Sequence, residues 1–231
     1  LKTPEVAAVV EAPELHALFE ALLECPAVHA LDYRWLRIVP PAATSSFHVD
    51  HCFFHSNNHD SGQRGMYTAW LPWCDTPVES GGLAVLRGSN SLPGFARIRE
   101  TYGDVDVSYT DIRDAGPLTH DPHWLLGFDP AAQWLTADYR AGDVLVFTMQ
   151  TFHGAVVNST GTEERSGPAA LRMSSDIRFL RGSERLDGRY SVPRTAPRSN
   201  MWPQDRPMRT MEEAVRSWAW PSAPAVGKSR L

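Results

Sequence analysis

Short strands separated by turn residues fill most of this chain and constrain its fold more than any other feature. Between Leu31 and Phe179, apolar or alternating runs are separated by Gly, Pro, Asn and Asp, without regularly interleaved helices. This pattern favours an antiparallel sandwich or barrel over a βαβ fold. Residues 75–82, which join two of the runs, are predicted to form a hairpin-like connection. The runs with the clearest strand character are 33–39, 67–73, 83–86, 142–147 and 169–179.

Helices are predicted near the two ends of the chain. Apolar residues between Glu5 and Glu24 recur at three- and four-residue spacing, and Pro13 divides this stretch into two short helices. After Arg181 the chain is rich in Pro and Arg, with one predicted helix at 211–220. We expect one domain over 1–231, made of N-terminal helices (1–30), a β core (31–181) and a tail (182–231).

A long insertion is predicted within the β core, at residues 92–137. It carries many aromatic side chains, which suit either a substrate cage or a packed loop equally well. Its aromatic and histidine residues are Tyr102, Tyr109, His120, His123, Trp124, Phe128 and Trp134.

Composition limits the classes of function. The 231 residues, 42% hydrophobic and 21% charged, suit one globular domain with a sizeable core. A formal net charge of −5 argues against nucleic acid as the main partner. No apolar run approaches the roughly 20 residues of a membrane helix. Because Cys25, Cys52 and Cys74 form no paired pattern, we expect a reducing, cytoplasmic setting.

A His-x-Asp pair and a distant histidine are the candidate metal ligands. His48 and Asp50 lie on the same face of an extended segment, because strand side chains alternate. His153 follows the strand that ends near Phe147. Two imidazoles and one carboxylate leave the opposite positions of a metal open, as in non-haem Fe(II) oxygenases. The pair alone is a weak signal. Nearby alternatives are His51, which points to the opposite face, and His55 and Cys52.

Five motifs in order carry a family resemblance. They are F-H-V-D-H (47–51), Y-T-A-W-L-P-W-C-D-T-P-V-E-S-G-G-L-A-V-L-R-G-S-N (67–90), A-G-D-V-L-V-F (141–147), H-G-A-V-V-N-S-T (153–160) and L-R-M-S-S-D-I-R-F (171–179). Over residues 31–181 the chain resembles the phytanoyl-CoA dioxygenase family of Fe(II)- and 2-oxoglutarate-dependent oxygenases. The resemblance implies a mainly β fold, a double-stranded β-helix (a jelly-roll or cupin-like barrel) with flanking helices. It also implies that His48, Asp50 and His153 hold Fe(II).

The final strand should supply the cation for 2-oxoglutarate. An arginine suits its distal carboxylate, because a planar guanidinium binds carboxylates bidentately and keeps its charge. In the family an arginine of this strand has that role, and Arg172 is the best match, with Arg165 and Arg178 as alternatives. Trp70 matches a tryptophan near the cosubstrate, and Ser45 is a candidate hydrogen-bond donor to it. The opposite face of the strand is expected to pack the core: Leu171, Met173, Ile177 and Phe179.

The resemblance therefore implies a dioxygenase that uses Fe(II), 2-oxoglutarate and O₂ to oxidise a small molecule, with release of succinate and CO₂. Hydroxylation is the expected outcome, with desaturation and ring closure as alternatives. A zinc or manganese hydrolase or isomerase on a cupin-like barrel would accept the same ligands. A non-catalytic homologue that binds 2-oxoglutarate is a third hypothesis. Neither nucleic acid nor a membrane is expected as a partner, and no motif identifies the substrate.

Overall fold

Two antiparallel sheets form the body of the chain in the computed structural model, which describes residues 4–31, 34–51, 53–54, 65–102, 118–161, 171–184 and 216. The strands are β1 (Val28–Ala30), β2 (Trp35–Val39), β3 (Met66–Pro72), β4 (Leu83–Arg87), β5 (Gln133–Leu135), β6 (Leu145–Thr148), β7 (His153–Ala155) and β8 (Arg172–Arg181). The helices are α1 (Pro4–Val10), α2 (Pro13–Leu22), α3 (Ala96–Glu100) and α4 (Pro122–Leu126), with 3-10 turns at Val78–Ser80 and Pro93–Phe95.

The larger sheet is built around the long strand β8. On one side β8 pairs with β3, which in turn pairs with β6. On its other side β8 pairs with β2 along its first half and with β1 at its end. The smaller sheet has the order β5-β4-β7, and a bridge between His48 and His153 adds the segment before Asp50 to its edge. Every pairing in both sheets is antiparallel, as the sequence pattern predicts.

Helices α1 and α2 cover the outer face of the larger sheet. They lie where the apolar spacing predicts them, and α2 begins at Pro13. Phe19 of α2 stacks on Phe179 of β8 at a centroid distance of 4.1 Å. Ile177 and Phe179 are fully buried in this cluster, as expected for the apolar face of β8, whereas Leu171 and Met173 of the same face are only half-buried. No helix within the described ranges is long and apolar enough to span a membrane.

The connection from β3 to β4 is not a hairpin, so that prediction is wrong. β3 lies in the larger sheet and β4 in the smaller one, so residues 75–82 carry the chain from one sheet to the other. Gly81 has φ of +80°, and a Cβ there would lie 2.8 Å from the carbonyl oxygen of Val156. The Gly81-Gly82 pair that suggests a hairpin turn therefore serves a close backbone approach.

The described part of the 92–137 insertion packs as core rather than lining a cavity. Phe95, Tyr102 and Phe128 form one cluster with Phe47 and Phe152, on the outer side of the smaller sheet. The Trp134 indole nitrogen donates to the Pro122 carbonyl at 2.9 Å. Of the two interpretations, the packed loop is therefore the one observed for these side chains. Tyr109 and the predicted helix at 211–220, apart from Arg216, lie outside the described residues.

Candidate metal centre

The two candidate histidines are placed together by direct backbone pairing. The amide of His48 donates to the carbonyl of His153, and the amide of His153 donates to the carbonyl of His48, both at 3.0 Å. Upstream of this pair, Thr44 Oγ1 donates to the Ala155 carbonyl and the Ala155 amide donates to Ser45 Oγ, both at 2.7 Å. The segment 44–48 is thus fixed along β7, which aligns two residues 105 positions apart in the chain.

His48, Asp50 and His153 form a group that can hold a metal ion. One ligand atom from each lies within 4.8 Å of the other two. Asp50 Oδ1 is 3.8 Å from His48 Nε2 and 3.7 Å from His153 Nε2. These separations are too long for hydrogen bonds but suit three atoms that surround one cation. The candidate ligands predicted from the sequence therefore meet in one place.

Hydrogen bonds orient both imidazoles for metal binding. His48 Nδ1 lies 3.0 Å from the Ser46 carbonyl, and His153 Nδ1 lies 3.0 Å from the Thr151 carbonyl. A carbonyl can only accept, so in the neutral rings the proton sits on Nδ1 and Nε2 keeps its lone pair. Two lone pairs facing a carboxylate oxygen repel each other unless a cation lies between them. The donor set therefore fits a divalent metal.

The protonation states of the three groups also suit a metal. Burial, and then the neighbouring His153, lowers the pKa of His48 to about 4. Burial likewise lowers the pKa of His153. For Asp50, burial acts against ionisation, but Arg178, the two histidines and Thr68 outweigh it and hold its pKa below the usual range. At neutral pH the site thus presents two neutral imidazoles and one carboxylate, which are the forms that bind metals.

The second oxygen of Asp50 is held from the larger sheet. Asp50 Oδ2 accepts from Thr68 Oγ1 at 2.7 Å and from Arg178 Nη2 at 2.7 Å and Nε at 3.2 Å. Thr68 and Arg178 are direct partners in the β3–β8 ladder. Sequence reasoning missed Thr68 altogether and considered Arg178 only for the cosubstrate. The signal that could have identified Thr68 is its position two residues before Trp70, which places both side chains on the same face of β3.

A cavity of about 410 Å³ lies beside the metal-ligand group, between the two sheets. His48 and His153 line it from the smaller sheet, and Arg172 and Trp70 line it from the larger sheet. Ser45 also lines the cavity, and its hydroxyl proton is not engaged by any described residue. All six residues singled out from the sequence therefore lie in or next to this one cavity.

Arg172 and Trp70 line the cavity, and each has a buried donor without a partner among the described residues. Arg172 is 2% exposed, and its Nη1 donates to Ser174 Oγ, whereas its Nε has no partner among the described residues. Trp70 is fully buried, and its Nε1 likewise has no partner there. The guanidinium carbon lies 5.7 Å from the centroid of the Trp70 ring. Burial lowers the pKa of Arg172 to about 10, so the side chain stays charged at neutral pH.

Both faces of β8 are buried, which the sequence did not indicate. The polar face, with Arg172, Ser174, Asp176 and Arg178, looks into the space between the sheets. Asp176 accepts from Arg37 Nε of β2 at 2.5 Å, and this ion pair lines the same cavity. The interpretation of a single core-packing face was therefore incomplete, because the polar face is buried as well, with Asp176 paired to Arg37 and Arg178 paired to Asp50.

Of the alternative metal ligands, His51 is described, and it is not part of the group. His51 is buried, and its amide donates to the Met149 carbonyl at 2.9 Å. In the part of the chain that the structure describes, the group contains only His48, Asp50 and His153. Cys52, His55 and Arg165 lie outside the described residues.

Solved structures with a similar fold include several enzymes of small-molecule metabolism. The epimerase SnoN from nogalamycin biosynthesis, solved with Fe³⁺, alpha ketoglutarate and nogalamycin RO, is 20% identical with a TM-score of 0.54, and the match covers 85% of this chain and 73% of SnoN. EctD from S. alaskensis, solved with 2-oxoglutarate and 5-hydroxyectoine, is 16% identical with a TM-score of 0.56, over 91% of this chain and 64% of EctD. The carbocyclase SnoK from nogalamycin biosynthesis is 20% identical with a TM-score of 0.52, over 82% and 62%.

These identities show a shared fold, and the chain spans less than two thirds of the length of EctD and SnoK. No curated protein matches the chain. The family profile described as phytanoyl-CoA dioxygenase (PhyH) matches residues 1–167, which include His48, Asp50 and His153 and end before β8. The chain belongs to the phytanoyl-CoA dioxygenase family.

Proposed function

We propose that this chain is an Fe(II)- and 2-oxoglutarate-dependent dioxygenase that hydroxylates a small molecule. Fe(II), 2-oxoglutarate and O₂ are the cofactor and cosubstrates of the family to which it belongs. The observation that carries the proposal is the cavity that joins the metal-ligand group to the buried, unpaired donors of Arg172 and Trp70. A buried donor without a partner is costly, so its presence in two residues that line the cavity supports a ligand-binding role for them.

The strand order supports the double-stranded β-helix that the family resemblance implies. The larger sheet has the order β1/β2-β8-β3-β6, and the smaller sheet has β5-β4-β7 followed by the His48 segment. The chain passes repeatedly from one sheet to the other, and the candidate site lies between them. We propose that the sheets form a flattened barrel whose interior holds the metal and the cosubstrate.

Each site residue has a proposed role. His48, Asp50 and His153 would hold the metal, and 2-oxoglutarate would bind at positions that these three residues do not fill. Arg172 pairs with the distal carboxylate of 2-oxoglutarate through its guanidinium, whose Nε has no partner among the described residues, and Trp70 Nε1 donates to the same molecule. Ser45 donates its remaining hydroxyl proton. These donors would bind the cosubstrate in one orientation.

When bound, the iron supplies the oxidation chemistry, in which O₂ and 2-oxoglutarate yield succinate, CO₂ and one oxygen atom for the substrate. The protein positions the metal ligands and excludes water. The Nδ1–carbonyl hydrogen bonds fix the imidazole planes, and Arg178 and Thr68 fix Asp50. Burial of Asp50, His153 and Arg172 keeps bulk water from the ligand atoms. The substrate would enter the cavity beside the open positions of the metal.

A metal-dependent hydrolase explains the three ligands but gives no role to the unpaired donors of Arg172 and Trp70. Those two donors therefore favour the oxygenase. A non-catalytic homologue would bind 2-oxoglutarate without turning it over, and only an experiment separates it from an enzyme. The size of the cavity, about 410 Å³, suits a small molecule, and SnoN and EctD were solved with small molecules.

The test uses anaerobic protein loaded with Fe(II) and titrated with 2-oxoglutarate. We expect a visible charge-transfer band, followed after admission of O₂ by succinate formation. His48→Ala and His153→Ala should lose both, whereas Arg87→Ala, at an exposed position of β4, should keep both. A charge-transfer band without succinate formation would indicate the non-catalytic homologue that only binds 2-oxoglutarate. The absence of both from the unmodified protein would leave the hydrolase as the better explanation.

A further inference from the structure

The two oxygens of Asp50 lie in different surroundings. Metal binding by one oxygen does not require the hydrogen bonds that the other oxygen accepts. Oδ1 faces the Nε2 atoms of His48 and His153. Oδ2 receives three donor contacts, one from Thr68 and two from Arg178. A carboxylate oxygen has two lone pairs, so Oδ2 is saturated by protein donors. Only Oδ1 is left to bind a metal.

The pairing of Arg178 with Asp50 is not explained by fold stability. The two side chains are 4% and 2% exposed, so both charges have been removed from water. The loss of hydration commonly cancels the attraction within such a pair, and apolar side chains of similar volume are often at least as stabilising. The guanidinium carbon of Arg178 also lies 4.9 Å from the centroid of the Phe54 ring, which helps to fix its plane. A rigid, costly ion pair at a metal ligand points to a function at the metal.

The number of open metal positions suggests what the pairing of Arg178 with Asp50 does at the metal. Three protein ligands leave three positions on a six-coordinate metal, and 2-oxoglutarate takes two of them, so one remains. A carboxylate can bind a metal through one oxygen or through both. If Asp50 used both oxygens, it would occupy the last position, where O₂ must bind.

Building on the proposed function, we propose that Arg178, assisted by Thr68, is a positioning residue that keeps Asp50 a one-oxygen ligand and so keeps one metal position open. The two residues come from adjacent strands of the larger sheet and approach Asp50 from the side opposite the histidines. The positive charge of Arg178 also draws electron density from Asp50 and makes it a weaker donor to the metal. Arg172, six residues earlier on the same face of β8, keeps its separate role toward the cosubstrate.

The direct test counts water molecules on the metal. Mn(II) takes the same ligand types, and water bound to it accelerates the relaxation of bulk water protons. With 2-oxoglutarate added, the unmodified protein should show the relaxivity of one exchangeable water. Arg178→Met should lose that contribution, because the freed Oδ2 takes the position. Arg178→Lys, which keeps the charge and one donor, should retain it, and Thr68→Val should show a smaller decrease.

A second readout is the charge-transfer band of the Fe(II)–2-oxoglutarate complex. Without Arg178, Asp50 becomes a stronger donor and raises the energy of the metal electrons, so the band should move to longer wavelength in Arg178→Met. The matched control is Arg181→Met, on the same strand, where the side chain donates to the Leu23 carbonyl far from the site. It should leave both the relaxivity and the band unchanged.

The outcomes separate this inference from the proposed function. If the unmodified protein binds no 2-oxoglutarate with Mn(II) or Fe(II), the proposed function is wrong. If it binds 2-oxoglutarate and Arg178→Met keeps the bound water and the band position, only the role of Arg178 is overturned. Should Arg178→Met not fold, Arg178→Leu carries the same expectation and the same contradiction, because it also removes the charge and every donor to Asp50 Oδ2.

Discussion

Gly154 lies directly beneath the ring of Phe47, and this contact holds the His48 segment against β7. A Cβ built on Gly154 would lie 2.6 Å from Phe47 Cδ1. The neighbouring residues, His48 and His153, form the backbone pair that brings two metal-ligand candidates together, with ring centroids 4.4 Å apart. Only glycine therefore allows the aromatic ring and the histidine pair to occupy their observed positions.

Gly154→Ala should weaken metal binding. The added methyl group must displace the Phe47 ring, and the shift passes to His48 through the peptide bond between them. We expect a loss of roughly 1–3 kcal/mol in the free energy of unfolding, as for other overpacked sites. We expect about a tenfold rise in the dissociation constant for Fe(II), measured by anaerobic titration, which corresponds to about 1.4 kcal/mol.

Gly142→Ala is the matched control for this substitution. Gly142 has φ of +97°, and a methyl group added there would have no atom within 4 Å, so alanine strains the backbone without touching a neighbour. It should lower stability and leave the Fe(II) dissociation constant unchanged. Equal effects of the two variants on metal binding would mean that the Phe47 contact does not position His48.

Arg172→Met should impair binding of 2-oxoglutarate far more than binding of Fe(II). Truncation of one partner of a buried charge pair costs about 2–5 kcal/mol, so the dissociation constant for 2-oxoglutarate should rise roughly 30-fold or more. Arg172→Lys should raise the dissociation constant for 2-oxoglutarate by less than Arg172→Met does, because lysine keeps the charge but not the planar fork. The measurement is the anaerobic charge-transfer titration. A large effect of Arg178→Met on this constant with none of Arg172→Met would exchange the roles of the two arginines.

Trp70→Phe isolates the indole donor from the bulk of the ring. Trp70 packs edge-on against Tyr139 at 4.9 Å and is fully buried, so phenylalanine keeps most of the contact and loses only Nε1. Because Nε1 has no described protein partner, its removal leaves no protein acceptor unsatisfied. We expect about 1 kcal/mol of lost affinity for 2-oxoglutarate, roughly a fivefold change, from one hydrogen bond. An unchanged affinity would show that Trp70 is only a packing residue.

The strands and the residues of the candidate site were within reach of the sequence. Period-two alternation places His48 and Asp50 on one face, and the break at Pro13 separates two helices, both of which depend on local chemistry. His153 is a candidate ligand from its place after a strand, and the family resemblance then directed attention to Arg172 and Trp70. These residues carry their signal in the type of side chain and in its immediate neighbours.

Other features could not be predicted from the sequence, because they depend on which strands pair and which face each other. The 75–82 connection has the turn residues of a hairpin, and only the sheet order shows that it crosses between sheets. Thr68 is an ordinary strand threonine until the β3–β8 register sets it beside Arg178, with both facing Asp50. The aromatics of the insertion fit a cage or a core equally well, because side-chain composition does not tell which surface covers them.

The metal-free protein should lose stability as the pH falls from about 6.5 to about 4. In the fold, His48 has a pKa of about 4, whereas an exposed histidine titrates near 6.5. Between these values the unfolded chain binds a proton that the native state does not, so the free energy of unfolding decreases with falling pH. The loss is on the order of 3 kcal/mol for His48 by pH 4, with a contribution of the same sign from His153, whose pKa is also lowered. Asp50 adds nothing in this window, because its pKa is lowered and its stabilising contribution is lost only at more acidic pH.

The measurement is urea unfolding in the presence of a chelator at several pH values between 7 and 4.5. His48→Gln should flatten the pH dependence, because glutamine does not titrate, whereas His120→Gln, at an exposed position, is the matched control. Added Fe(II) should raise stability at pH 7 and lose its effect as the pH falls, since both imidazoles must be neutral to bind it. A free energy of unfolding that stays constant from pH 7 to 4.5 in the metal-free protein would show that the two imidazoles are not buried in their neutral form.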